Sequence, residues 1–205
     1  MLIGLTGRAQ AGKDTVYERA RHLYGDRVQR RSFADLLYKS AAAALGIHES
    51  NLRSWKADPD VTVEVVHREW GALHITDVRS YLQRYGTEAH RDLFGDDFWV
   101  DHLDLSHDPD AIVFVTDVRF DNEAQAIIDA GGCIVQVIGP ETADDAHRSE
   151  AGVDKRLVRW TLHNTERGDG FALVDFQVRE LVNSRILGIV GTGGQAPMIF
   201  TEVFA

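Results

Sequence analysis

The sequence predicts an α/β fold of three layers, a central parallel sheet with helices on both faces. Two observations predict it. Short apolar runs alternate with segments of helical periodicity, the pattern of successive β-α-β units. One of those runs, Ala111-Ile-Val-Phe-Val-Thr116, is continuously apolar in the manner of a strand covered on both faces. At 205 residues and 44% hydrophobic content the chain is long enough to bury a substantial core, and one domain over residues 1–205 is the expectation.

Taken in order, Met1 to Thr6 reads as the first strand. A glycine-rich turn follows, and Thr15 to Tyr24, with Val16, Ala20, Leu23 and Tyr24 at helical spacing, reads as the first helix. Val28 to Phe33 predicts a second strand. Asp35 is then expected to cap a helix carrying Leu36, Leu37 and the alanines 41–44, which Gly46 ends. Residues 48–75, with Trp55, Asp58-Pro59 and a valine-rich stretch, read as short helices or an insertion packed over the site. Thr76 to Tyr85 and Glu88 to Phe94 predict helices interrupted at Gly86, and Phe98 to Leu105 another. After the Ala111 strand, Asp121 is expected to cap a helix to Ala130, Gly131-Gly132 stops it, and Cys133 to Ile138 is the next strand. Trp160 to His163 predicts a last strand, followed by a helix from about Phe171 to Asn183 and a glycine-rich tail over about 186–205, read as a flexible or hairpin extension because it lacks a Gly-Lys pair.

The turn after the first strand carries the chemistry. Gly7-x-x-x-x-Gly12-Lys13 is the spacing of a phosphate-binding loop. Backbone N–H groups turn inward around an anion, the lysine reaches the β- and γ-phosphates, and the next helix aims its positive end at them. Gly7, Ala9, Ala11, Gly12, Lys13, Asp14 and Thr15 are the expected nucleotide-binding residues. Asp14 stands where a Ser or Thr usually follows the lysine. Either the Thr15 hydroxyl serves Mg²⁺ or the Asp14 carboxylate helps through water, and both remain open.

Composition narrows the class of ligand. A net charge of −10 argues against nucleic acid as the main partner and leaves small anionic ligands open. The single cysteine, Cys133, lies in an apolar run and reads as a buried strand residue, so no disulfide forms within the chain. With no signal-like start and no apolar run near the roughly 18 residues that span a bilayer, the expected location is cytoplasmic, away from membranes.

A second cluster follows the Ala111 strand. Asp117 sits where such folds hold water and metal near the phosphates, and Arg119, Phe120, Asn122 and Glu123 crowd the same edge.

Together these residues carry a family resemblance. The loop, the segment Ser32-Phe-Ala-Asp-Leu-Leu-Tyr-Lys39, the segment Arg79-Ser-Tyr-Leu-Gln-Arg-Tyr-Gly-Thr-Glu-Ala-His-Arg91 and the run Asp117-Val-Arg-Phe-Asp-Asn-Glu123 occur in an order that resembles bacteriophage-type deoxynucleoside monophosphate kinases. The likeness spans about residues 1–165, with His147-Arg-Ser-Glu150 as a further element, and departs from the family over 48–75 and after about 185. It implies a P-loop kinase fold with an acceptor-binding region at about 34–105, and transfer of the γ-phosphoryl group of ATP to a deoxynucleoside 5′-monophosphate with Mg²⁺. An acceptor phosphate is already ionised near neutral pH, so such a reaction needs positioning and charge neutralisation more than a strong base. Lys13 is expected at the donor, with Thr15, Asp14 or Asp117 arranging the metal. Arg79, Arg91 and Arg119 are candidates for the acceptor phosphate and transferred group, because guanidinium groups contact phosphate bidentately. Phe33, Asp35, Lys39 and Gln83 are candidates for the acceptor pocket, each with an ordinary reading as core, cap, surface charge or helix face; Asp117, Asn122 and Glu123 are candidate substrate contacts beside it.

A lid is expected at about 139–156, where Arg148 could swing onto the phosphates, while Lys155 and Arg156 read as solvated charges. His147 and Glu150 are too few ligands to predict zinc. Two other readings stand beside the kinase: a dephospho-coenzyme A kinase-like enzyme, separated by the acceptor segments, and a P-loop NTPase, whose guanine-binding Asn-Lys-x-Asp signal is absent. Base preference and the choice between monomer and homodimer are not legible in the chain.

Overall fold

The computed structural model describes residues 1–66, 73–140, 152–164, 170–186 and 198–199. Internal contacts divide the chain into two units, residues 1–32 with 104–205 and residues 33–103.

The first unit is built on a parallel sheet. β1 (Leu2–Thr6) is wholly buried and pairs on one side with β5 (Ile112–Val115) and on the other with β6 (Cys133–Ile138). β2 (Val28–Arg31) extends the sheet beyond β5, and β7 (Val158–His163) beyond β6, giving the order β2-β5-β1-β6-β7; the two-residue β8 (Met198–Ile199) pairs with β7. Because every pairing is parallel, the carboxyl ends of β1, β2, β5, β6 and β7 all lie along one edge, where ligands of open α/β sheets bind.

One face of this sheet is covered by α1 (Lys13–Tyr24) and α8 (Ala172–Ile186). Val16, Tyr17 and Ala20 of α1 and Val174, Val178, Leu181 and Val182 of α8 join Ile3, Leu5, Phe114, Val135 and Trp160 in one core. A bidentate Arg19–Asp175 pair, both bonds 2.7 Å, ties the two helices at their edge. On the other face α7 (Asp121–Asp129) packs so closely that a Cβ on Gly4 would lie 2.7 Å from Ile134 Cδ1 and 2.8 Å from Ile127 Cδ1. A side chain at Gly4 would oblige Ile127 and Ile134 to shift.

The second unit contains α2 (Ala34–Leu45), α3 (Glu49–Trp55), an antiparallel pair β3 (Thr62–Val66) and β4 (Leu73–Asp77), then α4 (Val78–Gly86) and two short helices, α5 (Asp92–Phe94) and α6 (Phe98–Asp101). Its own core gathers Tyr38, Ala41, Ala42, Leu52, Val63, Val78 and Leu82.

Several expected elements shift. The second strand ends at Arg31, so Ser32 and Phe33 lie beyond it, and Phe33 takes the N-cap position of α2 while Asp35 falls inside its first turn. Residues 48–75 do contain a short helix, but they also carry β3 and the start of β4, paired antiparallel. β4 occupies 73–77, where the sequence predicted the start of a helix; Asp77 caps α4 instead by accepting from the Ser80 N–H at 2.9 Å. Gly86 does not interrupt the helix. The chain runs through it into a π-turn at Thr87–Arg91, and a Cβ at Gly86 would overlap Leu37 Cδ1, so the glycine serves close packing against α2. The Gly86 carbonyl accepts from the buried Trp99 indole N–H at 2.9 Å. The helix expected to Leu105 ends at Asp101, and Phe120, not Asp121, is the N-cap of α7. Cys133 is buried, as expected of a strand residue. No helix among the described residues is long and apolar enough to cross a membrane.

Candidate active site

In the first unit, the loop between β1 and α1 has the backbone that the motif predicts. Gly7 (φ 141°), Gln10 (φ 61°) and Gly12 (φ 91°) all take left-handed values, which turn successive peptide planes. Gln10 holds such a value without being glycine, a strain that persists only where its surroundings fix it. The Ala11 N–H donates to the Arg8 carbonyl at 3.2 Å and closes the turn. Lys13 at the start of α1 folds back over the loop, its Nζ donating to the carbonyls of Gly7 at 2.7 Å and Arg8 at 2.9 Å. This holds the ammonium against the turn that the loop backbone encloses.

Half-buried Thr15 directs its Oγ1 toward the loop, 3.5 Å from where a Gly12 Cβ would stand, whereas Asp14 is exposed. Ala9 is half-buried and Ala11 buried.

Asp117 follows β5 at the same edge. Ser32, buried just past β2, donates its hydroxyl to Asp117 Oδ2 at 2.7 Å, and the Thr116 N–H donates to the Arg31 carbonyl at 3.1 Å, so the two strand ends are bound together. Glu123, 3% exposed, accepts from the Arg119 N–H at 2.7 Å and the Phe120 N–H at 3.2 Å. That is the carboxylate half of a capping box, and it fixes the Asp117–Phe120 turn at the mouth of α7. Arg119 in this turn and Asn122 in the first turn of α7 are half-buried.

These oxygens fit magnesium. Thr15, Asp14 and Asp117 supply hydroxyl and carboxylate only, and among the described residues no group of three or more histidine, cysteine or acidic side chains could hold an ion by itself. Mg²⁺ characteristically takes one or two protein oxygens and completes its shell with water and substrate phosphates.

The expected acceptor residues lie in the second unit. Arg79 is half-buried in the first turn of α4, and Gln83 is half-buried one turn on. Lys39 is exposed and Phe33 is 5% exposed, so the Phe33 ring is a core residue. Asp35 accepts from Arg53 Nη2 at 2.8 Å, and Arg53 Nε donates to Glu49 at 2.8 Å. The Arg53 guanidinium also lies 4.1 Å from the centre of the Tyr38 ring, which makes it a bridge between α2 and α3. Arg91, 4% exposed, donates from Nη1 to the Asp96 carbonyl inside the unit. That contact braces the turn between α5 and α6. Arg148, with most of the expected lid and the glycine-rich tail, lies outside the described residues.

Sequence reasoning missed Asn164, Gly139 and Ser32. Asn164, immediately after β7, donates from Nδ2 to the Ala11 carbonyl at 3.1 Å, and a Cβ on Gly139, just after β6, would stand 2.5 Å from Ala11 Cα. The signal for Gly139 and Asn164 was a small or amide residue directly after a strand with a buried apolar face, whereas Ser32 follows the polar strand Val28–Arg31 and carried no such signal.

The sequence model of the family described as deoxynucleotide monophosphate kinase matches residues 61–167, beginning inside the stretch that the sequence left least legible. A protein assigned as a deoxynucleotide monophosphate kinase in Acanthamoeba polyphaga mimivirus is 33% identical over 159 residues, 73% of this chain and 80% of that one. The deoxynucleoside-5′-monophosphate kinase of Escherichia phage T5 is 31% identical over 124 residues, 55% of this chain and 48% of that enzyme. The chain belongs to the deoxynucleotide monophosphate kinase family.

Proposed function

We propose that this member of the family transfers the γ-phosphoryl group of ATP to a deoxynucleoside 5′-monophosphate, giving ADP and the deoxynucleoside diphosphate, in the synthesis of nucleotide precursors. The observation that carries the reading is the loop itself: left-handed residues at 7, 10 and 12, Lys13 folded over the turn, and α1 starting directly behind it. Such a loop presents backbone donors and a helix N-terminus to a polyphosphate.

The residues divide the work. Loop amides and Lys13 bind the donor phosphates and offset their charge, which a substrate anion alone cannot do. Arg79, more exposed than Arg91, is the second unit's guanidinium candidate for the acceptor phosphate, and Arg119, anchored through its own N–H by Glu123, the candidate for the transferred group. Arg91 is better supported as a brace of its own unit. Thr15, with Asp14 or Asp117, would hold Mg²⁺, which would supply charge neutralisation for the donor phosphates. The attacking atom is an acceptor phosphate oxygen. It forms a bond to the γ-phosphorus as the bridging oxygen leaves with ADP, and no proton need be removed at neutral pH. The chain's task is therefore alignment and charge placement.

The test is product analysis with ATP labelled in the γ-phosphate, offered each of the four deoxynucleoside monophosphates, dephospho-coenzyme A, or no acceptor. Label in a deoxynucleoside diphosphate, lost in Lys13→Ala, is the expected result. Label in coenzyme A alone, or release as inorganic phosphate at the same rate without acceptor, overturns the reading.

A further inference from the structure

We propose that Asn164 is a positioning residue for the phosphate loop, setting the plane of the Ala11–Gly12 peptide so that the Gly12 N–H faces the donor phosphates. The inference rests on the reading that the loop binds the donor.

Asn164 is pinned at both ends. Its backbone N–H donates to the Ile138 carbonyl at 2.7 Å, continuing the β6-β7 ladder one residue past the strand, and the residue is 9% exposed. Its carboxamide Nδ2 donates to the Ala11 carbonyl at 3.1 Å in a buried contact. In a trans peptide the C=O of one residue and the N–H of the next point in opposite directions. A donor that holds the Ala11 carbonyl on the β7 side therefore turns the Gly12 N–H away from β7 and into the turn.

Without such an anchor that peptide could rotate. Gly12 has φ 91° and ψ 31°, a region glycine shares with its mirror image at little cost, so the sequence around the peptide does not fix its direction. The fit is close on both sides. A Cβ at Gly12 would fall on the Asn164 amide nitrogen and lie 3.1 Å from its Cγ, while a Cβ at Gly139 would come within 2.5 to 2.8 Å of three backbone atoms of Ala11. The ends of β6 and β7 thus support the loop from behind. The neighbouring Gln177, which grips the His163 backbone through two bonds of 2.9 Å, tethers α8 to β7 and touches no part of the loop in these contacts. It provides a matched control.

The experiment measures KM for ATP, KM for the acceptor, and calorimetric affinity for inorganic tripolyphosphate, which carries the phosphates without base or sugar. Asn164→Leu, Gln177→Leu and Lys13→Ala are compared with the parent chain. Asn164→Leu should raise KM for ATP and weaken tripolyphosphate about tenfold, the scale of one lost hydrogen bond, with acceptor KM within about twofold. Gln177→Leu should lower the melting temperature and leave both affinities in place. If Asn164→Leu does not accumulate, Asn164→Asp keeps the volume, removes the donor and carries the same measurement. A lower melting temperature with unchanged tripolyphosphate affinity, or an equal loss in Gln177→Leu, overturns the inference. Tripolyphosphate binding that survives Lys13→Ala as well overturns the donor reading on which it rests.

Discussion

On the proposed reading, the loop between β1 and α1 and the unit of residues 33–103 would hold an anion in different ways. In the loop the candidate donors are backbone amides, their planes set by left-handed residues at 7, 10 and 12, with Gly139 and Asn164 against Ala11. In the second unit the candidate groups are side chains, and much of the charge there is spent on the unit itself: Arg53 on Asp35, Glu49 and the Tyr38 ring, Arg91 on the Asp96 carbonyl. A backbone site is rigid and indifferent to which nucleotide brings the phosphate. A side-chain site can be changed residue by residue, which suits the part of an enzyme that chooses a substrate.

The sharpest way to break this contrast is Gly139→Ala. The new Cβ meets Ala11 backbone, which cannot rotate away, so the loop must move; a displacement near 1 Å is enough to cost about 100-fold. Steady-state kinetics should show kcat/KM for ATP falling by about that factor with acceptor binding unchanged. An equal loss of acceptor binding would mean the two regions are not separable.

Gly86→Ala is the converse. Its Cβ would overlap Leu37 Cδ1, a side-chain end that can shift, and overpacking of this kind costs about 1–3 kcal/mol. Urea unfolding should report that loss, and acceptor KM should rise while KM for ATP holds.

Arg53→Ala should have a smaller effect. The side chain is about one-third exposed, so its ion pairs and ring contact together are worth about 1 kcal/mol, and the loss should shrink in high salt. A midpoint shift that is the same at low and high salt would show that packing, not charge, carries the bridge.

The smallest expected effect is electrostatic. The hydrogen bonds from Arg19 hold the Asp175 carboxyl below its ordinary range. A depressed carboxylate contributes stability that is fully present above the unfolded value, about 3.9, and is lost as pH falls through the lower folded value. Asp175→Asn should therefore lower the melting temperature by a few degrees at most near pH 7, and the gap should close as pH drops below about 4. A gap that widens on acidification would contradict the assignment.

How far each region could be read from sequence follows the same contrast. The loop was legible because glycine spacing encodes backbone shape locally, and the buried strands 2–6 and 112–115 were legible because apolar runs need no partner to be recognised. The hairpin β3-β4 was not, since its pairing joins residues 62–66 to 73–77 and the helix-like composition after Thr76 masked the strand before it. Gly86 misled because glycine signals a break unless a neighbour such as Leu37 comes close enough to require it. Asn164 escaped because its contact with Ala11 spans most of the chain. Asp35 and Glu123 were singled out as candidate substrate contacts, and the structure gives both of them partners within the protein, Arg53 and two backbone N–H groups.

The central claim is that donor and acceptor are held by separate sets of residues, and the most direct measurement is crossed equilibrium binding of ATP and of a deoxynucleoside monophosphate to Lys13→Ala and Arg79→Ala. The account predicts that Lys13→Ala loses ATP and keeps the monophosphate, while Arg79→Ala does the reverse. Variants that each lose both ligands, or neither, would contradict it.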